Sequence, residues 1–139
     1  MSALSNYAEK ALLDSLLGTA AFSEPANVYV GLFTVSDSSG ATLENLEAGT
    51  LTNEISGNGY SRQVATFDAV TSGVGSTSNS GNLTFKASGG DWGEITTVAV
   101  MDAATSGNVL AYGSLTANKT IADGDSFQIS TGNLTITLA

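Results

Sequence analysis

The chain has 139 residues, 42% of them hydrophobic and 12% charged, with thirteen acidic groups against four basic ones and a formal net charge of -9. That size accommodates one core and not two, and the negative field opposes binding to nucleic-acid phosphates or anionic lipid headgroups. Neither His nor Cys occurs, which excludes a Ser-His-Asp triad, a thiolate nucleophile, an ordinary zinc site and any disulfide framework.

The first organised segment runs from Ser5 to Leu17. Leu4, Ala8, Ala11, Leu12 and Leu16 fall at helical spacing, with Glu9, Lys10 and Asp14 on the other side. Ser5 or Asn6 serves as N-cap, and Gly18 marks the stop. A helix of roughly three turns is marginal alone in water, so its apolar stripe needs a surface. This N-terminal amphipathic helix, residues 1–18, is expected to pack with a β-domain over residues 26–139 as one unit.

After Pro25 the pattern changes to period two. In Asn27 to Thr34, Val28, Val30 and Leu32 face one way and Tyr29 and Phe33 the other, so this strand is expected to be central, with both faces covered. Further strands are predicted over Tyr60–Phe67, Asn82–Ala87, Glu94–Met101, Val109–Leu115, Ser126–Ser130 and Asn133–Leu138, each bounded by Gly, Asn, Asp or Ser clusters. Strands this short and this regularly spaced imply a mainly β, single-domain antiparallel β-sandwich or jelly roll carrying one α-helix. Two connections are long: an acidic one from Ser36 to Asn58, holding Asp37, Glu44, Glu47 and Glu54, and a Ser/Gly/Thr-rich one from Thr71 to Gly81. Solvated loops are the simpler reading; the alternative is segments that reach over neighbours in an assembly. Asn58-Gly59 is a strong turn signal.

Chemistry-bearing patterns are sparse. No Gly-rich phosphate loop with its Lys is present, and the cations Lys10, Arg62, Lys86 and Lys119 are scattered singly. Asp91, Glu94, Asp102, Asp123 and Asp125 could in principle supply a glycosidase pair, but nothing in their spacing converges. Asp123-Gly124-Asp125 and Asp102 to Asn108 read as hairpin turns in preference to calcium loops. No metal or cofactor is expected, and no enzymatic activity. No leader-like segment or apolar run of the ~20 residues that a membrane span needs is apparent, so no membrane partner is expected. The sequons at Asn82, Asn118 and Asn133 carry no weight without a secretion signal.

The opening run Leu4 to Asp14, then Val28-Tyr29-Val30-Gly31-Leu32-Phe33-Thr34, resembles the start of a family of small tailed-bacteriophage virion structural proteins, usually labelled tail-fibre-like. The resemblance continues through Gly59-Tyr60-Ser61-Arg62-Gln63, Asp91-Trp92-Gly93, Asp102-Ala103-Ala104, Leu110-Ala111-Tyr112-Gly113, Gly124-Asp125-Ser126-Phe127 and Gly132-Asn133-Leu134-Thr135. It implies a particle component made in the bacterial cytoplasm and brings no catalytic residues. Phage accessory proteins of this size tend to trimerise, so a homotrimer contacting the major capsid protein or tail proteins is expected. Compact size and the lack of shaft repeats favour capsid decoration (a cement protein) slightly over a tail-fibre or tail-tip component. A third possibility is a host glycan or receptor module using Trp92, Tyr29, Tyr60 and Tyr112. The candidate assembly contacts are Leu4, Tyr7, Leu12, Leu16 and Trp92.

Overall fold

The computed structural model describes residues 3–34, 42–71 and 73–138, so Asp37 of the acidic connection lies outside the described residues. In chain order the elements are β1 (Ala3–Leu4), α1 (Asn6–Leu16), β2 (Val28–Phe33), α2 (Thr42–Glu47), β3 (Gln63–Ala65), β4 (Ser76–Ser78), β5 (Leu83–Lys86), β6 (Gly93–Met101), β7 (Val109–Ile121), β8 (Ser126–Ile129) and β9 (Thr135–Thr137). The main sheet has the order β1-β7-β6-β2-β3, and all its pairings are antiparallel.

Two apolar layers follow from the alternation along β2. Val30 and Leu32 enter a core built with Leu83 and Phe85 of β5, Phe127 and Ile129 of β8, and Leu134. Tyr29 and Phe33 point the other way, onto Leu46 of α2 with Ala99, Met101 and Val109. The strand expected to be central is therefore central, between β6 and β3. On β6 the side-chain parity changes along the strand: Ile95 and Val98 both face the larger core. An irregularity between Ile95 and Thr97 makes this possible, since the partner of Ile95 is Lys119 and that of Thr97 is Ser114. The surplus residues of β7 bulge and re-aim the strand.

The second layer of the sandwich is two separate ribbons, β5-β8 and β4-β9. A fully buried Asn79 sits where they meet. Its Nδ2 donates to Gly81 O (2.8 Å) and Ser130 O (3.1 Å), and its Oδ1 accepts from Leu134 N (2.9 Å). One amide thus stitches the β4–β5 connection to the β8–β9 connection, where a continuous ladder would otherwise be needed.

The predicted N-terminal helix is present, and Ser5 is its cap: Ser5 Oγ accepts from Ala8 N at 3.1 Å. The same hydroxyl donates to Val109 O, and Ser5 N donates to Leu110 O at 3.1 Å, which docks the start of α1 against β7. Three elements depart from the expectation: one strand takes Leu4 out of the helical stripe, and two elements lie where only connections were expected. These are β1, α2 within the acidic stretch, and β4 within the Ser/Gly/Thr-rich stretch. β7 also runs on past Leu115 to Ile121.

Candidate functional site

Four of the five acidic side chains weighed for catalysis lie in turns and connections, and the fifth, Glu94, is on β6. Asp91 Oδ1 accepts from Asp123 N at 2.8 Å, Asp123 Oδ1 from Gly89 N at 2.9 Å, and Asp125 Oδ2 from Ala122 N at 3.1 Å. Asp102 takes Asn108 N at 2.7 Å and Asn108 Nδ2 at 2.8 Å. In that last turn Gly107 has φ +77, and a Cβ there would stand 2.5 Å from Asp102 Oδ1, so glycine alone fits. A carboxylate held by backbone N–H groups is a poor acid-base catalyst and a good turn lock. Among the described residues no three acidic side chains come together as metal ligands.

Three of the motifs that carry the sequence resemblance, Gly59 to Gln63, Asp91-Trp92-Gly93 and Asp102-Ala103-Ala104, meet in one cluster. Arg62, read from sequence as an isolated cation, is buried and forms a fork-to-fork pair with Glu54: Nε to Oε1 and Nη2 to Oε2, both 2.7 Å. Its remaining nitrogen, Nη1, donates to Ala103 O (2.7 Å) and Ser106 O (2.8 Å), which clamps the β6–β7 hairpin tip to the 54–62 segment. Tyr60 OH donates to Glu54 Oε1 at 2.8 Å and accepts from Leu32 N at 2.9 Å. Its ring meets Trp92 edge-on, with centroids 5.5 Å apart, and Trp92 Nε1 donates to Asn58 O at 2.9 Å. Every polar atom of this cluster has a partner, so it reads as a latch that shapes loops and not as a reaction centre.

Burial first, and the Glu54 carboxylate second, push the Tyr60 phenol well above its ordinary 10.0. The unfolded chain then releases this proton before the folded one does. Stability from Tyr60 is complete below about pH 10 and is lost as pH climbs toward the folded-state value. In an alkaline titration followed by phenolate absorbance, one of the four tyrosines should ionise only as the protein unfolds, and Tyr60→Phe should remove that late step. Ionisation of all four in a still-folded chain would refute the assignment.

The sequence-predicted contact residues do not form one patch. Trp92, at 8% exposure, belongs to the larger core, and Leu4 packs half-buried against it. Leu12 is half-buried on α1, while Tyr7 and Leu16 are exposed, Leu16 at 78%. Ala8 is the one residue of α1 that is fully buried. The exposed apolar surface of α1 also includes Leu13 (58%) and Leu17 (75%), neither of which the helical stripe singled out. Only the way Ser5 and Ala8 seat the helix on β7 reveals them. The aromatic rings considered for glycan stacking are packed: Trp92 and Tyr60 against each other, Tyr29 and Tyr112 against the smaller core.

A groove of about 530 Å³ runs along β7, with Val98, Phe127 and Leu134 at its apolar floor, Leu115 and Ile136 beside them, and Lys119 lining it. No helix among the described residues is long and apolar enough to cross a membrane. No curated protein matches the chain. The family model described as podophage GP4 fiber I protein gp80 matches residues 3–137. With nearly the whole sequence covered, the chain belongs to this podophage fiber I protein gp80 family.

Proposed function

We propose that this protein is a non-enzymatic structural subunit of a podophage fibre, joined to the particle through the exposed apolar surface of α1. The family match carries the first half of this reading. It is supported by a cluster of polar residues fully engaged in loop locking and by acidic side chains bound to backbone.

The second half rests on Leu13 and Leu16 of α1 and its C-cap Leu17, which stand 58%, 78% and 75% exposed. A contiguous apolar surface of this kind is costly to leave in water and marks a contact for another protein. For a fibre subunit the partners are tail proteins. Capsid decoration against the major capsid protein is the second reading, favoured by the lack of shaft repeats within these residues. Copy number per particle, appendage-like or shell-like, separates the two.

The triple variant Leu13→Asp, Leu16→Asp, Leu17→Asp should fold with each exposed substitution costing no more than about 0.5 kcal/mol. It should fail to co-sediment with particles lacking the native subunit. Retained co-sedimentation would move the attachment to the sandwich.

A further inference from the structure

We propose that the groove along the outer edge of β7 receives residues 21–24 of a second copy of this chain, so that copies join head to tail through two different patches. This goes beyond attachment to the particle and uses a surface separate from the α1 leucines.

The receiving side combines three features. β1 covers β7 only at Ala111 and Tyr112. From there toward Ile121, no strand among the described residues lies on the outer edge of β7. An uncovered edge offers backbone donors and acceptors to an added extended segment. The groove beside it has the apolar floor described above, opened by the β7 bulge. Its charge is also distinct: Lys119 lines it and no carboxylate does. Lys10 and Arg62 are paired with Asp14 and Glu54, whereas Lys119 has no ion pair among the described residues.

The donated side is the stretch between α1 and β2. Residues 21–25 belong to no helix or strand. Phe22 is 37% exposed, and Glu24 is exposed with no ion pair among the described residues. Pro25 biases Glu24 toward extended backbone. In an extended segment, side chains two apart point the same way. Phe22 then enters the apolar floor while Glu24 meets Lys119, and the small Ala21 lets the backbones approach; Thr19 and Ala20 stay bound through their N–H groups to Asp14 O of their own helix.

The net charge of -9 on each copy opposes association over long range, but at physiological salt that repulsion is screened beyond about 8 Å, leaving the local pair and the apolar contact to decide. Because the two patches differ, the contact is heterologous and either closes into a ring or propagates.

Sedimentation velocity on the full chain over a concentration series tests this. The wild type should associate, while Glu24→Lys and Lys119→Glu should each weaken association by roughly tenfold or more. The double variant Glu24→Lys/Lys119→Glu should recover it. Leu115→Arg should block it. Far-UV circular dichroism checks that each variant is folded, as expected for substitutions at exposed or half-exposed sites. A wild type that stays monomeric at its solubility limit overturns the proposal, as does association indifferent to both single charge changes or unrecovered in the double variant. Association lost only in the α1 leucine variant also overturns it, by placing the self-contact on the helix. Co-sedimentation with particles is read separately, so failure of the attachment reading does not mimic failure here.

Discussion

Replacing Arg62 with alanine should cost about 3–5 kcal/mol and lower the thermal midpoint by roughly 10 °C or more. The Arg62 side chain is 3% exposed and that of Glu54 16%. Removing the guanidinium leaves the carboxylate without its countercharge and frees the carbonyls of Ala103 and Ser106. The penalty is mostly that of an uncompensated buried charge, not the net worth of the pair. Removing both charges together, as Glu54→Leu with Arg62→Met, should therefore recover much of the loss. Denaturant unfolding of the three proteins measures this. A loss below about 1 kcal/mol for Arg62→Ala would mean that the pair behaves as a solvated surface bridge.

Trp92→Ala is the second large effect, expected at about 3–5 kcal/mol. The substitution empties part of the larger core, removes the edge contact with Tyr60 and leaves Asn58 O without its indole donor. Trp92→Phe should retain more than half of that stability, since it keeps most of the apolar volume and loses the N–H. These outcomes separate two roles for the residue. A core Trp92 lowers the stability of the isolated chain. A Trp92 that worked as an assembly contact would leave the isolated chain unchanged and abolish particle binding. Because Tyr60 and Trp92 touch, Tyr60→Phe combined with Trp92→Ala should depart from additivity.

The latch also accounts for the form of the sequence resemblance. Gly59 to Gln63, Asp91-Trp92-Gly93 and Asp102-Ala103-Ala104 are far apart in sequence, yet they meet around one buried ion pair and one aromatic pair. Gly90 shows how tight that meeting is, because a Cβ there would stand 2.7 Å from Asn58 Nδ2. These motifs keep loops in place. The surfaces proposed for assembly lie elsewhere, at the α1 leucines, the 21–24 stretch and the β7 groove.

Local pattern by itself determined a good deal of this protein. The helix over Asn6–Leu16, the two-faced β2, and the cores of β5, β6, β8 and β9 all follow from alternation and turn residues within a few positions of each other, while the choice of Ser5 over Asn6 as cap came from the structure. The exclusion of thiol, imidazole and zinc chemistry followed from composition alone. Tertiary structure decided the rest, because periodicity says which side chains share a face but not what lies opposite them. β1 and β4 are too short to show a period and exist through pairing with β7 and β9. The outer part of β7 is polar and exposed, so nothing apolar marked it as strand. Arg62 looked solitary because two of its partners lie 41 and 44 residues along the chain. Leu16 looked like part of a buried stripe until the seating of Ser5 and Ala8 on β7 turned it, with Leu13 and Leu17, toward solvent.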